Sequence, residues 1–375
     1  MAHDRCKQPM PLHLRISRNL GTLILEGAIA FCSASLLAQA PLPSEPELKA
    51  LAGLPHYAPP QQIAGTIRVW GHGAPGLDFM GMLFKAWVDG FAKFQPNIKF
   101  EYDMYGTASA MGALYAGKGD IAILGQEIYP FETVAFNRVK HYSPTEIEIA
   151  TGSVDVRNFD FAIGTFVNSK NPLTRLTLPQ LNRIFAFQDT PAENIVTWGQ
   201  LGLTGDWADK PIHLYGWHQD DVFSTFVQFR ALDGNHRWRC EMKQYRHIHN
   251  ADGTIYDSGQ QILDDLAKDP YGMALSNVRY LKGIARDATK PLALARNADG
   301  PYYEATKATL IDRQYPLGRI IPAEIDRKPG RPVDPAVKEF LTYLLSREGQ
   351  GEIVRNGKYL PMQPAIASRQ LEKLQ

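Results

Sequence analysis

Glycine and hydroxyl residues stand where a predicted strand turns into a predicted helix. Residues 97–105 alternate polar and apolar side chains, which predicts a strand, and residues 108–116 carry apolar side chains at helical spacing. Gly106, Thr107 and Ser109 lie at the junction. The first amides of a helix lack internal partners and carry partial positive charge, so this junction is suited to an anion or a polar ligand. The simpler alternative is a threonine N-cap on an ordinary crossover.

A second glycine-rich loop has the spacing of a dinucleotide-binding fingerprint. Residues 71–76 read Gly-x-Gly-x-x-Gly between a predicted strand and a predicted helix, and Glu101 and Asp103 lie near the end of the next strand. Pro75, however, has no amide N–H to offer in the loop that should face the pyrophosphate. The two acidic residues also come later than the usual spacing of about 20 residues. We therefore predict no nucleotide cofactor, and we expect no other cofactor.

Four further residues have a spacing compatible with a metal site. They are His236, Cys240, His247 and His249. Four lysine and arginine side chains share this segment and oppose a cation, which favours a solvated polar segment instead. The sequence also lacks the Gly-x-Ser-x-Gly elbow of serine hydrolases. It therefore predicts neither a metal site nor an enzyme.

The composition is that of an ordinary globular protein. The chain has 375 residues, 44% of them hydrophobic and 21% charged, with a formal net charge of +1. This length suits two domains. The near-neutral charge provides no basic field of the kind that nucleic-acid binding requires, so we predict no nucleic-acid partner.

The first forty residues have the pattern of an export signal. His13, Arg15 and Arg18 form a basic region, residues 20–37 are mostly apolar, and residues 38–40 read Ala-Gln-Ala, a small-x-small cleavage pattern. An acidic residue interrupts the apolar run, which is also short for a membrane span. We therefore predict a signal peptide and a periplasmic or otherwise exported protein.

Predicted strands and helices alternate in two blocks, around residues 66–130 and around residues 160–275. Such alternation indicates parallel sheets with right-handed crossovers, and two α/β lobes fit it better than one long sheet. The predicted strands are 66–70, 97–105, 120–124, 147–151, 159–167, 211–216 and 271–276. The predicted organisation is a signal peptide at 1–40, a linker at 41–63, a first lobe from 64–163 and 277–375, and a second lobe at 164–276.

Five short segments, in this order and spacing, resemble a known family. They are residues 71–74, residues 106–111, residues 119–127, residues 171–178 with Ile184-Phe185 and Trp198-Gly199, and residues 340–350 followed by 357–361. The chain resembles the phosphate-binding-protein-like branch of the type II periplasmic substrate-binding proteins, which serve phosphate ABC transporters. The match covers nearly all of the chain after the predicted signal.

This resemblance implies two lobes joined by crossing strands that close on an oxyanion. It implies ligands from the loop at residues 73–75, from the loop at residues 107–109 and from the end of the third strand. In the second lobe the family places an arginine and a Ser-Gly-Thr that opens a helix. Amides and hydroxyls donate to the anion and arginine pairs with it. The resemblance further implies a monomer, a phosphate-like anion as ligand and an ABC permease as partner.

The chain departs from the family pattern in two loops. Residues 125–127 (Gly-Gln-Glu) stand where the family usually has a serine followed by arginine or aspartate. Trp217 stands in place of the second-lobe arginine, and residues 221–223 (Asp-Val-Phe) replace Ser-Gly-Thr. A dianion that faced Asp220, Asp221 and Glu127 without an arginine would meet repulsion of about 1 kcal/mol or more per close pair. We therefore expect the phosphate clamp to be partly lost and the ligand to be an oxyanion or a related small solute.

The predicted site combines residues of both lobes. Its ligand-binding residues are Gly73, Ala74, Thr107, Ala108, Ser109, Gln126, Glu127, Trp217 and Asp221. Two alternatives stay open: an exported enzyme that uses the same cleft, with His72 or His218 as base, and a scaffold that binds no ligand.

Overall fold

The computed structural model describes residues 42–73, 79–154, 161–356 and 358–375. The predicted signal peptide, residues 1–40, and Ala74 of the predicted site lie outside the described residues. The helices are α1 (Glu45–Ala52), α2 (Phe79–Phe91), α3 (Thr107–Tyr115), α4 (Pro130–Lys140), α5 (Leu178–Phe185), α6 (Val222–Ala231), α7 (Ser258–Leu266), α8 (Ala285–Ala288), α9 (Lys307–Ile311), α10 (Pro335–Leu344), α11 (Arg347–Asn356) and α12 (Pro364–Glu372). The strands are β1 (Gly65–Gly71), β2 (Ile98–Asp103), β3 (Ile121–Ile123), β4 (Thr145–Thr151), β5 (Gly164–Asn168), β6 (Arg175–Thr177), β7 (His213–Trp217), β8 (Lys243–Tyr245), β9 (Ile248–His249), β10 (Ile255–Tyr256), β11 (Gly272–Ser276), β12 (Thr289–Pro291), β13 (Ala293–Ala295) and β14 (Ile320–Ile325).

The first lobe is built on a five-stranded sheet with the strand order β2-β1-β3-β14-β4. β1 is parallel to both β2 and β3, as the strand–helix alternation of this region predicts. The apolar stripe of α2, which includes Leu83, Phe84 and Trp87, packs with α10 and α11 in a core on one face of this sheet. Met111 and Leu114 of α3 and Phe136 of α4 pack on the other face.

The fourth strand of this sheet, β14, is absent from the sequence-based prediction. It lies between β3 and β4 and is antiparallel to both. Its sequence contains Pro322, which lacks a ladder donor, and Glu324, which is fully buried, so two residues contradict the usual pattern of a central strand. The ladder with β4 accommodates the proline through a register shift between Ile321 and Pro322.

The second lobe is built on another five-stranded sheet, with the order β12-β5-β11-β7-β8. β7 is parallel to β8 and β11, whereas β5 is antiparallel to β11 and β12. Its core includes Phe166, Leu214, Phe226 and Ile262, all buried. Two-stranded sheets, β6 with β13 and β9 with β10, complete this lobe.

The chain returns to the first lobe later than the predicted boundary at residue 277. β12 pairs with β5 and β13 pairs with β6, so both strands belong to the second lobe. Leu292, Leu310 and Leu317 are buried in the second core. The second crossing therefore comes just before β14, and the segment from 277 to about 317 adds to the second lobe. The end of the second lobe is set by pairing between strands that are far apart in the chain, so it cannot be predicted from local sequence patterns.

The described part of the predicted linker, residues 42–63, packs against the rest of the chain. Ser44 and Glu47 form a capping box that starts α1. Glu47 is buried and pairs with Lys307 of α9 at 3.2 Å. Ala50 and Tyr57 are also buried, in the second and first cores respectively. The segment is thus a structural part of the protein.

Two helix-flanked sheets and two crossings make a two-lobed α/β architecture, as the sequence predicts. No helix in the described part of the chain is both long and apolar enough to span a membrane.

Candidate ligand-binding cleft

Three loops at the carboxyl ends of β1, β2 and β3 are joined by hydrogen bonds. The N–H of Gly106, after β2, donates to the carbonyl of Gly71 at 3.0 Å. The hydroxyl of Thr107 accepts from the N–H of Gly125, after β3, at 2.9 Å. Carboxyl ends of neighbouring parallel strands are the usual ligand-binding edge of an α/β sheet. We call the resulting surface, residues 71–73, 106–109 and 125–127, the first-lobe wall.

The N-cap of α3 is Gly106, one residue before the threonine that the simpler alternative names as the cap, and the helix begins at Thr107. Gly106 has a φ of 146°, a region that glycine adopts far more readily than other residues. A glycine cap has no side chain to accept from the first-turn amides, and the hydroxyl of Ser109 donates back to the Gly106 carbonyl at 2.8 Å. Within the described residues no side chain caps this turn, so its amides, near exposed Ala108, are available to an external acceptor.

His72 supports this wall from beneath and is not open to the cleft. It is 4% exposed, its Nε2 lies 3.1 Å from the hydroxyl of Tyr359, and its ring packs against Gly125. A Cβ on Gly125 would lie 2.4 Å from the His72 ring, so this position requires glycine. The arrangement gives His72 a structural contact and offers no support for its use as a catalytic base. Gly73 follows β1 and is half-buried at the rim of the wall.

Glu127 has an arginine partner that the sequence pattern does not reveal. Its Oε2 accepts from Nε of Arg319 at 3.0 Å, and its Oε1 accepts from the N–H of Ile320 at 3.1 Å. The Glu127 carboxylate is thus paired with an arginine that the sequence-based expectation did not include. Gln126, next to it, is half-buried in the same loop. Arg319 belongs to no motif, and only the fold brings it here.

Trp217 lies at the end of β7, but its side chain is buried in the second lobe. It is 1% exposed, and its ring centroid lies 4.8 Å from that of Phe223. The indole therefore belongs to the core and does not present an open surface at the place of the family's arginine. The replacement of arginine by tryptophan converts a charged position into a packing position.

Asp221 occupies the amino end of α6 with its own carboxylate. It is the N-cap residue, and its Oδ1 accepts from the N–H of Phe223 at 3.0 Å. Burial raises the pKa of Asp221, and the Phe223 amide and the nearby His247 and Arg246 oppose that shift. A negative charge of the protein thus sits at the helix terminus where the resemblance implies an oxygen of the ligand.

Arg246 supplies a cation at the same edge of the second sheet. It follows β8, which lies beside β7 in parallel, so both strands end at this edge. Its Nη2 lies 2.7 Å from Nδ1 of His218 and 3.3 Å from Oδ2 of Asp220. The side chain is 63% exposed. The sequence does not reveal Arg246 as a cation of this edge, because the pairing of β7 with β8, and not proximity in the chain, places it near residue 217.

Two of the three histidines with metal-site spacing, His236 and His247, have hydrogen-bond partners in the protein. His236 Nδ1 lies 2.9 Å from Oε1 of Gln228, and His247 Nδ1 accepts from the N–H of Ser258 at 3.1 Å. Within the described residues, no group of three or more histidine, cysteine, aspartate or glutamate side chains is arranged to hold a metal ion.

Two α/β lobes, each a helix-flanked sheet with polar loops at the carboxyl ends of its strands, have the fold of the type II periplasmic binding proteins. Residues 74–348 match the family model described as the PBP superfamily domain, so the chain belongs to this superfamily. The resemblance and the fold class that the sequence predicts are both confirmed.

Individual relatives point to the same branch. The chain is similar to the phosphate-binding protein PstS of Pseudomonas aeruginosa PAO1, with 26% identity over 325 residues, 86% of this chain and 90% of that protein. The crystal structure of PstS from Borrelia burgdorferi has a similar fold, with a TM-score of 0.53 and 17% identity over 80% of this chain and 99% of that one. These similarities support a solute-binding role for the chain.

Proposed function

We propose that this chain is an exported solute-binding protein that binds a small, phosphate-like oxyanion in the cleft between its lobes. The observation that carries the proposal is the amino end of α3, where Gly106 leaves the first-turn amides uncapped beside Thr107 and Ser109. Backbone N–H groups at such an end favour an anion without needing a charged side chain. The similarity to relatives named phosphate-binding protein PstS supports the same ligand class.

The second lobe contributes a different set of groups from the family's clamp. Arg246 supplies the positive charge at this edge, and Asp221 occupies the helix end that the family leaves to the ligand. The Asp221 carboxylate repels a dianion, so the cleft favours a less charged oxyanion or a related small solute. Gln126 adds an amide that both donates and accepts.

The remaining parts of the proposal concern the setting of the protein. Residues 1–40 act as the export signal, the protein is a monomer in the periplasm, and it delivers its solute to an ABC permease. The similarity to phosphate-binding proteins supports this role.

A calorimetric panel tests the proposed ligand class. The purified protein is titrated with phosphate, sulfate, an uncharged sugar and a cationic amino acid under identical conditions. We expect binding heat with an oxyanion and none with the cation. Binding of the cation or the sugar alone would contradict the proposal, and no binding by any solute would favour a scaffold.

A further inference from the structure

Arg319 lies on the crossing that leads back into the first lobe, directly before β14. Its side chain is fully buried, which is rare for arginine and requires compensating partners. The partners come from both lobes. The Arg319 side chain therefore links the two lobes through its contacts.

The partner in the first lobe is the loop after β3. Arg319 donates from Nε to Glu127, and the neighbouring N–H of Ile320 donates to the other oxygen of the same carboxylate. Glu127 belongs to the first-lobe wall, two residues after Gly125, whose N–H is held by the Thr107 hydroxyl. The buried guanidinium therefore fixes the loop that completes this wall.

The partner in the second lobe is the helix α6. The guanidinium carbon of Arg319 lies 4.3 Å from the ring centroid of Phe226, a cation–π geometry. A second contact lies beside the first. The ring of Tyr129, in the loop after β3, stacks on the ring of Phe229 of α6, with centroids 5.3 Å apart and planes 23° apart. The first contact joins the segment before β14 to α6, and the second joins the loop after β3 to the same helix.

Asp221 is the N-cap of α6, and the proposed function places this end of the helix on the second-lobe side of the cleft. We propose that Arg319 is a positioning residue that sets the distance and orientation between the two cleft walls. Its effect on ligand affinity rests on the proposed function, whereas its effect on the arrangement of the lobes does not. Arg319 acts through Glu127 and Phe226 and does not itself contact the ligand.

Arg319→Lys is the principal test. Lysine keeps the charge but lacks the planar guanidinium that donates to Glu127 while it faces the Phe226 ring. One spin label on an exposed residue of each lobe reports the lobe-to-lobe distance by pulsed electron resonance, without ligand. Phosphate titration of the same variant reports affinity. The matched control is Arg68→Lys, since Arg68 pairs with Asp120 at 2.6 Å inside the first lobe.

We expect Arg319→Lys to broaden the lobe-to-lobe distance distribution and to weaken phosphate binding by about tenfold or more. We expect Arg68→Lys to leave both unchanged. Phe226→Leu, which removes the ring and keeps every charge, should broaden the distance distribution to a smaller extent. This variant replaces Arg319→Lys as the test if Arg319→Lys does not fold.

The outcomes separate this inference from the proposed function. A wild-type distance distribution in both Arg319→Lys and Phe226→Leu would overturn the inference. A broadened distribution in a protein that binds no oxyanion would support the inference and contradict the proposed function. Equal broadening in Arg68→Lys would overturn it as well, because any lost ion pair would then suffice.

Discussion

Glu324 is a buried carboxyl group in the middle of the first sheet. It is fully buried on β14, and neither of its side-chain oxygens accepts a hydrogen bond from any described residue. Burial, together with the nearby Glu146, raises the pKa of Glu324 to about 8, and Lys373 opposes the shift. The folded protein therefore holds this group protonated at neutral pH, whereas an unfolded chain releases the proton near its ordinary pKa.

The sign of the resulting pH dependence follows from linkage. Because the pKa of Glu324 is higher in the folded state, its titration does not reduce the free energy of unfolding below about pH 4.5. As the pH rises from there towards 8, the free energy of unfolding falls by about 1.4 kcal/mol per pH unit. Glu324→Gln, which cannot ionise, should be more stable than wild type at pH 8 and closest to it at pH 4.5. Denaturant unfolding across this range measures the difference. A constant difference at all pH values would contradict the assignment.

Asp221 gives a second prediction for one residue. Asp221→Ser keeps an oxygen that caps α6 but removes the charge from the helix end. We expect phosphate affinity to rise by about tenfold, because the repulsion between the carboxylate and the anion is removed. Titration calorimetry of both proteins measures this.

The control for this change is another capping aspartate. Asp334 caps α10 in the first lobe by accepting from the amides of Ala336 and Val337. Asp334→Ser should alter helix stability and leave phosphate affinity unchanged. Weaker phosphate binding by Asp221→Ser would instead mean that Asp221 accepts a hydrogen bond from a protonated ligand oxygen.

At the scale of elements, the first-lobe wall depends on the hydrogen bond between α3 and the loop after β3. Thr107→Val removes the acceptor for the Gly125 N–H while it keeps the shape of the side chain. Because that amide is partly buried, we expect a loss of about 1–3 kcal/mol in the free energy of unfolding and weaker phosphate binding. Thr107→Ser, which retains the hydroxyl, should restore most of both.

Chemical denaturation and calorimetry on the two Thr107 variants measure these effects. If Thr107→Val binds phosphate as wild type does, the hydrogen bond between Thr107 and Gly125 has no role in holding the wall. If Thr107→Ser behaves like Thr107→Val, the methyl group of Thr107 and not its hydroxyl matters.

Helices and strands whose apolar residues recur at a regular spacing are predictable from the sequence. β14 shows why an element without such a spacing is not. The stripe of α2 and the alternation of β2 follow from local patterning, and both elements form as predicted. β14 combines a proline and a buried glutamate, and its partners β3 and β4 lie far away in the chain. A long-range pairing of this kind overrides the local signal against a strand.

The residues of the candidate site also divide into those that the sequence predicts and those that it does not. Gly106 and Thr107 are predictable, because a strand, a glycine and a helix stand next to each other in the sequence. Arg246 and Arg319 carry no motif, and each reaches its site through a strand that pairs with a distant one. Trp217 was expected at the cleft, but its large apolar ring is buried in the core instead.

At the scale of the whole molecule, the proposed function divides the binding of the solute between the two lobes. The first lobe supplies uncharged donors at α3, and the second lobe supplies Arg246 together with the charged cap Asp221. Fixed N–H groups select for an acceptor, and the mixed charges of the second lobe limit how negative that acceptor is. Similar folds can thus hold different solutes by exchange of a few residues in loops.

Amide NMR tests most directly whether an oxyanion binds at the amino end of α3. Transverse-relaxation-optimised ¹H–¹⁵N spectra of the protein are recorded during a phosphate titration. We predict progressive, saturable shifts of the amides of Thr107, Ala108 and Ser109, with no comparable shift at Ala336 in the first turn of α10. Saturable shifts elsewhere with none at residues 107–109, or no shift at any phosphate concentration, would contradict the account.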